Sequence, residues 1–233
     1  MQALDKVDFE VYPSEVVALI GDNGAGKSTL VKILSGIYHK DSGEIFVEGK
    51  PVEFHGPVDA QRLAGISTVY QDLALVDVRD VASNIYLNIE PTWFGPFINF
   101  KKMYADAAEI ISRLRITMPS VKVNVGDLSG GQRQAVAIAR ALARGQRIFL
   151  LDEPTAALGV EQQDKVNQLI ADLKEHGSTI VLISHNLEHV FKVADRLIVL
   201  RRGHRVGTRQ KSATTKEEIV GLITGAIKGD VAD

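Results

Sequence analysis

Gly21-Asp22-Asn23-Gly24-Ala25-Gly26-Lys27-Ser28 has the residue types and the spacing of a loop that holds phosphate. Glycines let a backbone wrap close to an anion and turn successive N–H groups toward it. Lys27 would neutralise the terminal phosphates of a nucleotide, and the Ser28 hydroxyl would ligate a magnesium ion. This chemistry needs a buried strand ahead of the loop and a helix behind it, so that the positive end of the helix dipole faces the phosphate. Glu15–Ile20 is such an apolar run, and Thr29–Ser35 reads as the helix.

A second chemistry-bearing pair, Asp152-Glu153, ends the apolar run Ile148–Leu151. Acids at the C-terminal edge of a parallel sheet sit where such folds bind ligands. Asp152 suits magnesium held through water, and Glu153 suits orienting or deprotonating an attacking water. Leu128-Ser129-Gly130-Gly131-Gln132 is a second backbone anion site by composition: Ser129 caps a helix whose first turn is stripped to glycine. A tight turn would account for the glycines but for neither Ser129 nor Gln132. Gln71 ends the strand pattern Ile66–Tyr70, and His185 follows the apolar run Thr179–Ser184.

The elements that position these groups can be read from periodicity. Leu4–Tyr12 alternates apolar and polar residues as a half-buried strand does. Glu44–Glu48 and Pro51–Phe54 flank Gly49-Lys50 as a hairpin, and Arg196–Leu200 with Arg205–Arg209 read as another around Arg202-Gly203. Between Asp72 and Pro119 strands give way to helical spacing, clearest at Met103, Ala107, Ile110, Ile111 and Leu114. Within it Pro91–Phe97 is apolar but too broken by Pro and Gly for helix or strand. It is either a loop folded on its own core or an exposed partner-docking surface. Further on, helices at Gln132–Ala143 and Glu161–His176 alternate with the apolar strands. Thr215–Glu218 is a capping box ahead of a last helix, Ile219–Ile223. The expected class is α/β: a mostly parallel sheet covered on both faces, an antiparallel β subdomain, and an inserted helical subdomain over about 72–145 in a single domain of 1–233.

The 233 residues carry 27 Lys plus Arg against 29 Asp plus Glu, which leaves no basic footprint for nucleic acid. No cysteine is present, which excludes disulfides and thiol catalysis. The apolar runs have strand length, far below the roughly 20 residues of a membrane span, and the first residues are not a signal peptide.

Taken together, the loop at Gly21–Ser28 with Thr29, the glutamine Gln71, the stretch Leu128–Gln132, the Asp152-Glu153 pair and His185 resemble the ATP-binding cassette (ABC) ATPases, in that family's order and over the whole chain. The resemblance implies a P-loop NTPase core and a dimer that sandwiches ATP and Mg2+ between one subunit's phosphate loop and the other's signature stretch. In it Lys27, Gln71, Glu153 and His185 would act on the reaction. The loop residues and Ser129, Gly130, Gly131 and Gln132 would bind nucleotide, and Ser28, Gln71 and Asp152 would hold the metal. Ser129 and Gly131 would reach the γ-phosphate across the interface. More narrowly, Glu153–Val160, Ile183–Leu187 and Glu218–Gly225 are similar to the ATPases of bacterial ribose-, xylose- and fructose-type importers. Many of those are double-length, so a single cassette implies a homodimer. The implied setting is the cytoplasmic face of the inner membrane, with membrane permease subunits and an extracytoplasmic solute-binding protein as partners and no nucleic acid. The rival within the family is a soluble ABC protein of translation or DNA repair.

Two departures stand out. Gly159 occupies a place where the family usually has Asp, as the sugar-importer branch often does, which leaves no carboxylate there to relay between sites. The family's adenine-stacking aromatic belongs about two dozen residues before the phosphate loop, at or before Met1, and Tyr12 lies too close to replace it. The expectation is a chain truncated or mis-started at its N-terminus, its nucleotide affinity weakened by about 1–3 kcal/mol.

Overall fold

The computed structural model describes residues 2–156 and 158–230. In chain order they form β1 (Val16–Gly21), α1 (Lys27–Leu34), β2 (Ile45–Val47), β3 (Lys50–Val52), α2 (Pro57–Ala64), β4 (Ile66–Val69), α3 (Val81–Ile85), β5 (Thr92–Phe94), β6 (Phe97–Ile98) and α4 (Phe100–Arg113). Then follow α5 (Gly130–Ala143), β7 (Ile148–Asp152), α6 (Val160–Glu175), β8 (Thr179–Ile183), α7 (Leu187–Val193), β9 (Arg196–Arg201), β10 (His204–Gln210) and α8 (Lys216–Thr224).

The main sheet runs β10-β9-β1-β8-β7-β4, parallel throughout except for the antiparallel β9/β10 edge. Its inner strands β1, β7 and β8 are apolar runs because both faces are covered there. The period of two is visible in the core: Val16, Ala18 and Ile20 face one apolar cluster, and Val17 and Leu19 face the other. β8 divides the same way, Ile180 and Leu182 against Val181 and Ile183. The first cluster takes in α3 to α7, and the second is closed by Leu30 and Val31 of α1 and Ala60 and Ala64 of α2.

The residues 72–145 carry α3, α4 and α5, which pack on one another through Val81, Ile85, Met103, Ala107, Ile111, Ala135 and Ile138. The hairpin β2/β3 stands apart from the main sheet as a separate antiparallel pair.

Several local expectations are corrected. Leu4–Tyr12 is not a strand. Leu4, Val7, Phe9 and Val11 do face the core, so the alternation reports burial, but among the described residues no ladder pairs with the segment, and Lys6 at φ +46° breaks its extension. Strands do occur between Asp72 and Pro119: β5 and β6 pair antiparallel around Gly95-Pro96. Proline and glycine there mark the turn of a hairpin rather than the absence of one. The short helices α2 and α3 carry too few residues for a periodic signal. Thr215 caps α8 by accepting from the Glu218 N–H, but the Glu218 carboxylate turns to Arg209 Nε at 2.6 Å and Thr214 Oγ1 at 2.7 Å, so the box closes on one side only.

Candidate active site

Four neighbouring strands end at one edge of the sheet and bring the chemistry together. β1 ends at Gly21, where the phosphate loop begins, and α1 starts at Lys27. β7 ends at Asp152, which is paired in register with Ile183 of β8, and two residues beyond Ile183 lies His185. Val69 of β4 pairs with Leu151, which leaves exposed Gln71 two residues past the same edge. Parallel strands necessarily present their C-termini together, and this is what converts separated motifs into one site.

The loop is wrapped as tightly as its glycines allow. Gly26 has φ +104°, and a Cβ there would lie 2.6 Å from Leu4 Cδ2 and 2.9 Å from the Ala3 carbonyl. A Cβ on Gly21 would meet the Leu200 carbonyl at 2.2 Å. Lys27 Nζ donates to the carbonyls of Gly21 at 2.7 Å and Asp22 at 2.9 Å, so the ammonium caps the loop it follows. Burial lowers its pKa, against the opposing pull of Glu153, Asp22 and Asp152. Asp22, Asn23, Gly24 and Ser28 are exposed, Ala25 is buried, and Thr29 is half-buried in the first turn of α1. An open cleft of about 230 Å3 flanks Asp22–Ala25, with Arg201, Arg202, Ile223 and Thr224 on its other side.

Burial and the adjacent Glu153 both push the Asp152 carboxyl up, while Lys27 and Lys32 pull it down. Glu153 itself sits at φ +49°, a left-handed conformation unusual for a side chain of this size. Its N–H donates to the Ile183 carbonyl at 2.9 Å. Its carboxylate accepts from the His185 N–H at 3.0 Å and from Ser184 Oγ at 3.3 Å, and lies 2.7 Å from His185 Nδ1. Glu153 and His185, both expected to act on the reaction, thus touch, which no linear spacing shows.

Ser129 is the N-cap of α5: its Oγ accepts from the Gln132 N–H at 3.4 Å, and Gln132 Oε1 accepts from the Ser129 N–H at 3.0 Å. The local structure therefore accounts for both residues, which a bare turn did not. Gln132 Nε2 also holds the Thr117 carbonyl at 2.9 Å. Gly130 and Gly131 lie against α6: a Cβ on Gly130 would meet Leu158 Cδ2 at 2.5 Å, while one on Gly131 would sit at an ordinary 3.5 Å from the Gln162 carbonyl. Among the described residues no hydrogen bond or ion pair joins this stretch to the phosphate loop.

Sequence reading missed the side chains that brace these parts. Buried Asn84 and the half-buried Arg140 tie α5 to the segment that follows Gln71: Arg140 donates to the carbonyls of Ala74 (3.0 Å) and Asn84 (2.9 Å), and Asn84 Nδ2 to those of Val76 and Asp80 at 3.0 Å each. His189 on α7 meets Thr155 at 3.2 Å, and burial lowers its pKa against Glu153. Long sequence separation hides the Arg140 and His189 pairs, 34 to 66 residues apart. Tyr12 is at the opposite end of the sheet from the loop, under the guanidinium of Arg196 at 4.9 Å, and Arg196 pairs with Val17 at the start of β1. Gly159 is the N-cap of α6 at φ −67°, and a Cβ there meets nothing within 4 Å. Its backbone does not demand glycine. Gly159→Asp is therefore expected to fold normally and to gain a few tenths of a kcal/mol from capping, read as an unchanged or slightly raised Tm. Ala157, in the same run, lies outside the described residues.

Three groups are expected at a magnesium ion. Ser28 Oγ, the Asp152 carboxylate and the Gln71 amide are oxygen donors, the set a small hard cation takes. Among the described residues no cluster of three or more His, Asp or Glu could hold a metal alone.

Known proteins share both sequence and shape with this chain. The ABC transporter family profile matches residues 4–156. The fructose import ATP-binding protein FrcA of Rhizobium meliloti is 45% identical over 233 aligned residues, covering 96% of this chain and 88% of the relative. The xylose/arabinose import ATP-binding protein XylG of Sulfolobus acidocaldarius is 46% identical, over 99% of this chain and 91% of the relative. The ribose import ATP-binding protein RbsA 1 of Rubrobacter xylanophilus is 44% identical over 96% of this chain, which spans only 44% of that relative. Among solved structures, the dimeric ATP-binding cassette MJ0796 in a post-hydrolysis state bound to ADP and Pi superposes with a TM-score of 0.73 at 26% identity, covering 90% of each chain. The ADP conformation of the cassette MJ1267 gives 0.78 at 26% identity, over 95% of this chain and 89% of that one. The chain therefore belongs to the ABC transporter family, as one of its ATP-hydrolysing cassettes.

Proposed function

We propose that this cassette powers import of a small neutral sugar through separate membrane permease subunits, at the cytoplasmic face of the membrane, with an extracytoplasmic binding protein delivering the solute. The observation that carries the chemistry is the shared strand edge, which sets the phosphate loop, Asp152, Glu153 and His185 side by side. The names of the fructose, xylose/arabinose and ribose import relatives support the substrate class. Nothing in them favours a role in translation or DNA repair. Among the described residues no helix is long and apolar enough to cross a membrane.

In this reading the N–H groups of Gly24–Thr29 and the Lys27 ammonium cradle the β- and γ-phosphates. Magnesium, held by Ser28 and Asp152 with Gln71 beside them, supplies charge neutralisation when bound. Glu153, held by Ser184 and His185, takes a proton from a water in line with the β–γ bridge. The water oxygen bonds to the γ-phosphorus as the bridging bond breaks, leaving ADP and phosphate. Ser129 and Gly131 of a second copy close the far side of the γ-phosphate, which makes the working unit a dimer. The residues 72–145 act as one helical arm of the single cassette and carry Gln71's movement outward through Arg140 and Asn84.

The hairpin β5/β6 on that arm is where the permease docks in this reading. Trp93, Phe94 and Phe97 are 73%, 84% and 69% exposed, and no charged residue lies between Glu90 and Lys101. An isolated two-stranded hairpin of this kind gains little by itself and presents a continuous apolar surface to a partner. Co-expression with the permease of a fructose, xylose or ribose importer, followed by ATP-dependent uptake of each labelled sugar into vesicles, tests the function; no uptake of any of them sinks the substrate class. In the same vesicles a Trp93→Ser/Phe94→Ser/Phe97→Ser variant is expected to lose uptake by at least about tenfold, as for central anchors of an interface. Its ATP hydrolysis without permease should match the parent. Full uptake would remove the hairpin from the docking surface.

A further inference from the structure

Glu153 is awkwardly built for the part it plays. It occupies the left-handed region at φ +49°, is followed by Pro154, which offers no N–H, and begins a turn closed by one backbone bond, Ala156 N–H to the Glu153 carbonyl at 3.0 Å. A residue in such a conformation keeps it only where its surroundings over-determine it. Two ties do so. One is the contact of the Glu153 carboxylate with buried Ser184 and exposed His185. The other is buried: His189 Nδ1 lies 3.2 Å from Thr155 Oγ1, and the two residues are 3% and 5% exposed. Both ties join the turn leaving β7 to the segment that runs from Ser184 into α7, and only the second lies wholly between buried residues.

The other face of His189 makes the arrangement more telling. Its Nε2 is buried with no hydrogen-bond partner among the described residues, so that side of the ring adds no bond to the fold. Its backbone N–H is satisfied by the Asn186 side chain at 3.2 Å, which does not require a histidine. Among the described residues the ring's one hydrogen bond is the bond to Thr155. Downstream of that bond the Leu158 N–H returns to the Thr155 carbonyl at 3.3 Å, and the Leu158 side chain lies against Gly130 of the signature helix. Thr155 is thus the fixed point between the carboxylate that faces the phosphate and the contact that faces the signature.

We infer that His189 is a positioning residue for hydrolysis: through its buried bond to Thr155 it holds the Glu153–Ala156 turn so that the Glu153 carboxylate meets the attacking water. It touches no reacting atom. The inference rests on the assignment of Glu153 as the base.

The test uses the full chain and steady-state ATP hydrolysis, with Tm recorded for every variant. His189→Leu fills similar volume, deletes the bond and also deletes the unpartnered Nε2. Thr155→Val deletes the bond from the other side without changing shape. Each is expected to lower kcat by about tenfold or more, the scale on which small displacements of a reacting group cost rate, with KM within about twofold. Tm should hold within about 3 °C, the shift of roughly one kcal/mol in a chain of this size. The double variant should be no slower than either single one, because both remove the same contact. His189→Asn places an amide where Nδ1 was and should restore kcat to within about threefold of the parent. Parent-like kcat in His189→Leu overturns the inference, as do losses that multiply in the double variant, failure of Asn to rescue, or a loss of rate matched by a falling Tm. A parent chain that hydrolyses no ATP, by contrast, overturns the functional reading itself, and a parent that works with an active Glu153→Gln variant overturns the assignment of the base.

Discussion

Glu153→Gln is expected to leave ATP binding within a few-fold of the parent and to reduce turnover by about 10²–10⁴, the range that a positioned base contributes. Gln has the shape of Glu: its amide oxygen can accept from the His185 N–H as Oε1 does, and its NH2 can donate to Ser184 Oγ where Oε2 accepts, so the turn after β7 should survive. What it cannot do is take a proton. The substitution also removes a negative charge beside Asp152, whose carboxyl is pushed up partly by Glu153, so the electrostatic cost of bringing in a polyphosphate falls. ATP should therefore accumulate uncleaved, and with it the closed dimer, visible as an ATP-dependent shift in size-exclusion mass. Turnover within about threefold of the parent would show that another group orients the water.

A larger consequence concerns the number of chains in one site. Lys27→Ala removes the loop's ammonium, and Ser129→Asp keeps a good N-cap on α5 while placing a negative charge where a partner's γ-phosphate would lie. Each chain alone should show almost no hydrolysis. Mixed in equal amounts they should recover activity, because a mixed dimer pairs the intact loop of one chain with the intact signature of the other. Random pairing makes about half of the dimers mixed, each with one complete site, so about a quarter of parent turnover is expected. If both residues served one site within a single chain, mixing would restore nothing. Colorimetric phosphate release from the mixture, compared with each chain alone, decides the matter. The absence of any hydrogen bond between signature and phosphate loop within the described chain is what makes the two-chain arrangement the one to test.

Much of this protein was legible before any fold was in hand, for a specific reason. Phosphate binding by backbone N–H groups constrains residue type strongly and locally, so Gly21–Ser28 announces itself within eight positions. Fully buried parallel strands likewise write themselves as unbroken apolar runs, and β1, β7 and β8 fall where those runs lie. Leu4–Tyr12 marks the limit of that reasoning: alternation encodes which side chains face the core, and it says nothing about whether a neighbouring chain offers hydrogen bonds. Pro91–Phe97 marks another, because a proline and a glycine look the same in sequence whether they interrupt a strand or turn a hairpin.

Which residue types do chemistry, in what order, and on what kind of element were thus properties of the sequence. Which of them touch was decided only by the tertiary structure. The contacts of Glu153 with His185, His189 with Thr155, and Arg140 with Asn84 each span more than 30 residues, and no periodicity carries information over that distance. They exist because the parallel sheet sets the ends of β7 and β8 side by side and the arm folds α5 over the loop beyond Gln71. The register of strands and the packing of helices create those meetings, and with them the orientation of the groups on which hydrolysis depends.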